Sequence, residues 1–519
     1  MFTRKSRIAS IVLVAGLPTA AYAQQTFPNW VGPANGSWSV AGNWNPFGVP
    51  NNSGPTTYAP IIPGGGSPVL NISVTVDKFG IGPGAAIQMN NNVSMTVLAQ
   101  TDGVGTTGLL SNEGTFAMNS VGNITDLIIS GGVGSYAVHG NLIGTTALIT
   151  MSDTLANRIY GATSNEKLIF GAETLLEGAG QIGLNQLELE NFGDLRAMGS
   201  NGLIFDPGVA GMTNHATMQA VTGPMTLSLG TFRNVGGLAV IRAQNTRVVT
   251  LSSARVEGGY LETFGSGVIN SFGATVSNVN LLGTLAIPNN TNCRVESSLT
   301  FAGASGLITM QSVGNPTDLI ITSPVTTFDG FGGSAGISMS NTLANRIYGE
   351  PGDRRMVLTD SAFIRGAGQI GFNLMSLTVG PGCDITAIGS NGIIIDPNPD
   401  GMINNGLLRG SNGSSLVLSL GECDNTNGEM RADVGGNVSL SSATVVGGLF
   451  TSFGSGNFVT AASVIEGVTS NAVINLNNNN ASTIRTFLVN NATLAMNSVG
   501  NLTDLTISGN TTISGPGVL

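Results

Sequence analysis

Catalysis needs carboxylates, imidazoles, thiols or cations held close enough to share one substrate. This chain offers few of them: 2 histidines, 3 cysteines and 9% charged residues among 519. The carboxylates best suited to acid–base work or calcium binding are of two kinds. Asp126, Asp318 and Asp504 each sit in a "TDL" phrase, and Asp206 and Asp396 each precede a proline. All five return with their phrase. A catalytic site is built once, whereas a turn-forming aspartate is copied with every turn, and Asp before Pro suits the start of one. These five are therefore expected to be structural.

The other reactive groups are as sparse. His139 in "AVHGN" and His215 in "TNHAT" have no Asp, Ser or Cys motif beside them, and Asn405 stands opposite His215 when the repeats described below are aligned. A surface or turn role is expected of both. The densest charge cluster, "EPGDRR" (350–355), reads as a solvated loop, with ligand contact by Arg354 and Arg355 as the alternative. "IPGGGSP" carries no GK[ST] and opens no helix, so a phosphate cradle is not supported. Cys293, Cys383 and Cys423 form no CxxC pair. Cys293 aligns with Ile484 and Cys423 with Phe232, so burial as small hydrophobes is expected, a Cys383–Cys423 bridge being the alternative. No catalytic residue, metal site or cofactor is expected. Trp30, Trp38 and Trp44 fall within fifteen residues, ahead of the first repeat. They could form a sugar-stacking platform, or cover the apolar cross-section and unpaired edge that the first coil of a solenoid exposes. The cap is the preferred reading.

The scaffold for these residues is written as a repeat. "AMNSVGNITDLIIS" (117–130) returns as "TMQSVGNPTDLIIT" (309–322) and "LAMNSVGNLTDLTIS" (494–508). "SDTLANRIYG" (152–161) returns at 340–349, "GAGQIG" (178–183) at 366–371, and "GSNGLIFDP" (199–207) at 389–397. One copy runs from 80 to 274, a second from 275 to 463, and a third, partial, from 464 to 519, with cap and first coils at 24–79. Within a copy, runs of 4–6 apolar residues rich in β-branched types are punctuated by Gly, Asn or Asp, and no window shows a sustained helical period. No linker appears at a copy boundary. Separate sandwiches are therefore disfavoured, and the expected fold is all-β: a right-handed parallel β-helix (β-solenoid) with an N-terminal aromatic cap and coils of roughly 20–25 residues. In each coil stack "SVGN" would turn the chain and "TDLIIS" would begin an inward-facing strand. The turn asparagine would join an uncharged ladder.

Bulk properties limit the function classes. Net charge is −10, with no Lys/Arg run, which argues against nucleic acid as a partner. "MFTRKSR", "IASIVLVAGLPTA" and "AYA" before Gln24 form the basic, apolar and cleavage regions of a secretory signal peptide over 1–23. No later run approaches the roughly 18 apolar residues of a membrane span. The mature chain is expected to be exported, to the cell surface or beyond it.

The stretch "NWVGPANGSWSVAGNWNPFGVPN" and the blocks "NRIYG", "IRGAGQIG", "GSNGIIIDPN", "GMINNGLLRG" and "GGLFTSFGSG" resemble the repeat text of large secreted bacterial surface proteins with autotransporter-passenger-like repeats. The resemblance covers essentially all of 28–519 and implies a parallel β-helix outside the cell. The expected function is a structural or adhesin-like β-solenoid without catalytic activity, meeting extracellular glycans or other surface proteins. The alternative is a polysaccharide-active lyase or hydrolase, or a carbohydrate-binding protein, on the same scaffold. The chain stops partway through a module, and bare coil surface there predicts further sequence or end-to-end self-association.

Overall fold

The computed structural model describes residues 24–98, 108–131, 134–139 and 147–519, without the side chains of 108–111 and 134–139. The signal peptide expected at 1–23 and the side chain of His139 lie outside what is described.

Short strands of alternating burial are its dominant element. In Glu166–Phe170 ("EKLIF") and Leu187–Asn191 ("LELEN") every second residue is buried. This is the two-residue period of a strand with one face on a core. Over most of the stack each strand pairs with the one three positions before it and the one three positions after, and where a long strand runs through a corner the step is two. Thr125–Ser130, for instance, lies between Ser94–Leu98 and Asn157–Gly161. Three strands thus make one turn, and the described residues stack into a parallel β-solenoid of about 19 turns. Among the described strand pairs one is antiparallel, Asn29–Trp30 with Trp44–Asn45. Among the described residues the 3₁₀ turn Ala41–Asn43 is the one helical piece. At a spacing of about 4.8 Å per turn the stack is ~90 Å long.

The stack passes through both copy boundaries without a break. Ala274–Leu282 pairs with Arg255–Glu257 on one side and Asn292–Phe301 on the other, and Ser463–Asn471 pairs with Thr444–Val446 and Ala481–Asn490. Stacked partners are 20 to 25 residues apart over much of the rod, as at Asn214–Asn234 and Gln219–Asp194. They widen to 32 and 28 at Asp126–Arg158 and Asp318–Arg346, where longer loops intervene. One apolar cluster runs through the interior from Trp30 to Leu494. It includes ring pairs such as Phe450–Phe458, on consecutive strands of one turn, with centroids 4.7 Å apart.

The repeated phrases each perform one job in a corner. In "SVGN" the Ser120 hydroxyl donates to the Asn123 carbonyl at 2.5 Å, and the Val121 and Asn123 amides both donate to Asn91 Oδ1 of the preceding turn. Ser312, Val313 and Asn315 repeat this on Asn289, and Ser498, Val499 and Asn501 on Asn478. The asparagine of the phrase is exposed and builds no ladder, contrary to expectation; the stapling group is an asparagine one turn earlier. Uncharged ladders do exist elsewhere. The buried amides of Asn191, Asn214 and Asn234 link head to tail at 2.8 and 2.9 Å, and Asn404 links to Asn425 at 2.7 Å. In "GAGQIG" the first glycine, Gly178 or Gly366, has φ of +133° or +127°, and a Cβ there would meet the Met151 or Met339 carbonyl oxygen at 2.0 Å. Only glycine closes that corner.

Candidate functional site

The repeated aspartates of the two full copies face their own scaffold. Asp126 accepts two hydrogen bonds from Arg158, both 2.7 Å, and one from the Tyr160 hydroxyl at 3.2 Å. Asp318 does the same with Arg346, both 2.6 Å, and Tyr348, 3.2 Å. The "TDL" of one turn is thus clamped by the "NRIY" of the next, with the guanidinium close over the tyrosine ring. The pairing raises both arginine pKa values. Asp504, in the partial copy, is exposed. Asp206 and Asp396 hold their turns through the backbone, each amide donating to an isoleucine carbonyl at 2.8 Å. Burial pushes both carboxyls above their usual range, and one oxygen of each is buried without a hydrogen-bond partner.

The three tryptophans lie inside. Trp30, Trp38 and Trp44 are 3%, 0% and 2% exposed, which leaves no ring face open for a sugar. Trp44 meets the other two edge to face, at 5.1 and 4.6 Å. The Trp38 and Trp44 indole N–H groups donate to the carbonyls of Pro50 and Trp38, while that of Trp30 is buried without a partner. All three cysteines are buried and free. Burial raises their thiol pKa values, that of Cys293 to about 11. Glu350 of the "EPGDRR" loop pairs with Arg294, and Arg355 donates to the Ser376 hydroxyl at 3.2 Å. The Nε of Arg354 is buried without a partner.

His215 belongs to a cluster that the first copy alone carries. It sits 3.1 Å from Glu190 and lies flat on Phe192, ring centroids 4.3 Å apart. Lys167 bridges Glu188 and Glu190 at 3.0 and 2.7 Å. Burial works to raise the Glu190 carboxyl, but hydrogen bonds from Lys167 and His215 outweigh it and hold the group below its ordinary range. A general acid at neutral pH needs the opposite shift. Among the described residues, no group of three or more His, Cys, Asp or Glu could hold a metal ion.

A groove on the second copy is a wide concavity open to solvent. It has a volume of about 1110 Å³ and crosses five successive turns, whose corners contribute Gly382, Gly406, Gly428, Gly448 and Gly467. Its wall is charged in pairs. Arg365 grips Asp384 at 2.8 and 3.2 Å, and Arg431, beside the groove, grips Glu429 at 2.8 and 3.0 Å. Arg409 is held more loosely, by the Thr386 hydroxyl at 3.2 Å and by Asp433 at 3.5 Å. The outward column runs Arg365, Thr386, Arg409, Arg431, Thr451 in strand register, one residue per turn. Sequence reasoning missed this site because no local motif marks it. The signal was available in the differences between copies: Gly382, Asn405 and Leu449 stand where the first copy has Phe192, His215 and Tyr260.

Among the described residues no helix is long and apolar enough to cross a membrane. No protein-family model matches the chain, and no curated protein matches it.

Proposed function

We propose that this is an exported β-solenoid of the autotransporter-passenger-like kind, a structural or adhesin-like rod at the cell surface with no catalytic activity of its own. The observation that carries the reading is where the ion-paired acids of the full copies spend their charge. Asp126 and Asp318 are bound bidentately by arginines of the next turn, and Glu190 is held ionised by a lysine bridge. These are cross-links between turns rather than groups poised for proton transfer. The tryptophan cluster fits the cap role, since bulky rings shield the first turns from water. Low charge and repeated flat faces suit weak contacts made many times over. The sequence before Gln24 supports export.

A glycan array run beside reducing-sugar and unsaturated-uronide assays tests this. Retention on surfaces or glycans without product release is expected; turnover of any polysaccharide would overturn the non-catalytic reading. Fractionation of the producing cell should find the mature chain outside, beginning at Gln24. The groove on the second copy favours one variant of the reading, in which the rod is carbohydrate-binding.

A further inference from the structure

We propose that the groove over Gly406 and Gly428 binds a linear, uncharged polysaccharide, laid along the rod with about one sugar unit per turn. The inference rests on the surface-binding reading above and names its ligand class.

The first argument is metric. The groove spans five turns, so its equivalent positions recur about every 4.8 Å over roughly 20 Å. An occupant in step with them must repeat at the same length, which is close to that of one pyranose unit in an extended chain. An extended peptide presents like-facing side chains only every two residues, about 6.6–6.8 Å, and falls out of step within two or three turns. Single-stranded nucleic acid would need a cationic track, and here each cation has an acid beside it.

Chemistry gives the second argument. Arg365 with Asp384 and Arg431 with Glu429 set a donor and an acceptor side by side, in strong bidentate geometry. A hydroxyl, which both donates and accepts, can add to such a pair without separating it. A carboxylate would compete with Asp384 or Glu429 for the arginine, in a chain of net charge −10. Arg409, whose contacts at 3.2 and 3.5 Å leave guanidinium N–H groups free, is the donor best placed to meet the chain. The Leu407 and Leu449 side chains offer apolar floor for the C–H faces of the rings.

The third argument is that the groove is built once. Residues that hold the corners and strands recur between the copies, and so do Asp384, Gly447 and Gly448 of the groove, which match Asp194, Gly258 and Gly259; most of the other side chains along the groove do not. Arg365 replaces Glu177, Arg409 replaces Gln219 and Glu429 replaces Val240, in addition to the smaller groups at 382, 405 and 449. A scaffold that copies its structural residues and departs from them along one contiguous strip has shaped that strip for something else.

Calorimetry on the mature chain with cellohexaose, mannohexaose and xylohexaose, against hexagalacturonate, tests the proposal. At least one neutral hexasaccharide should bind, with affinity rising from trisaccharide to hexasaccharide and levelling near five units. Asn427→Trp, at an exposed corner of the groove, should weaken binding tenfold or more, and Arg409→Ala several-fold. Val235→Trp, at the matching corner of the first copy, should leave binding unchanged. Circular dichroism of each variant confirms folding. Failure of all neutral hexasaccharides to bind, preference for hexagalacturonate, or undiminished binding by folded Asn427→Trp would each overturn the groove assignment. If Asn427→Trp kept the wild-type array profile, the groove would fall and the surface reading would stand. Sugar turnover lost in Asn427→Trp would do the reverse.

Discussion

At the scale of single residues, the acids of this protein divide by what surrounds them. Asp318 makes two charge-assisted hydrogen bonds and a third to a phenol, so Asp318→Ala should cost about 1–3 kcal/mol in urea unfolding. A double-mutant cycle with Arg346→Ala should return a favourable coupling above about 0.5 kcal/mol; additive effects would refute the clamp. The pH dependence carries two opposite signs. Glu296 and Glu429 lie below the usual carboxylate range because Arg255 and Arg431 hydrogen-bond to them. Their contribution is therefore full above the unfolded value near pH ~4.3 and is lost as pH falls through the lower folded value. Asp206 and Asp396 are raised by burial, so the folded state favours their protonated form and gains from them on acidification. Accordingly Glu429→Gln should flatten the acid limb of the urea midpoint against pH. Asp396→Asn should raise the midpoint at pH 7 and lose that advantage below about pH 4. Repetition alone pointed to a structural reading of these aspartates. Their partners could not be read the same way, because Arg158 lies 32 residues from Asp126 and meets it only once a turn has closed.

Elements in this chain are short, and the corners decide their register. Gly366→Ala would force a φ near +127° on a residue with a side chain and press its Cβ into the Met339 carbonyl. Strain alone should cost about 1–3 kcal/mol, and hydrogen exchange should show it first in Gly336–Gly349 and Phe363–Gly371, the strands that meet there. Equal protection in wild type and variant would mean that the corner relaxes freely. Strands and turns were legible in the text because a two-residue apolar period and Gly/Asn punctuation are local properties. The asparagine staple was misplaced by one turn for a related reason. "NNN" at 90–92 and "NN" at 289–290 read as loop polarity until the stack sets Asn91 and Asn289 under the amides they accept. The groove lay further still from local reading, being the sum of outward residues from five turns.

For the whole molecule, parallel stacking makes stability a matter of neighbours: each turn is held by the one before and the one after. Trp38 is fully buried among two other indoles, and Trp38→Ala should cost about 3–5 kcal/mol. Hydrogen exchange should place that loss in the first turns, around residues 24–79, and leave Leu416–Phe458 as protected as before. Loss of glycan retention with that protection intact would point instead to a binding role for the tryptophans. The same architecture sets how the rod bears load. Its inter-turn hydrogen bonds run along the long axis, so a pull on the two ends strains one terminal turn at a time instead of shearing many strands together. Each turn that lets go releases about 70–80 Å of slack chain. A tether of this kind yields in small steps and lengthens severalfold, which lets it absorb a tug while most of the shaft stays wound.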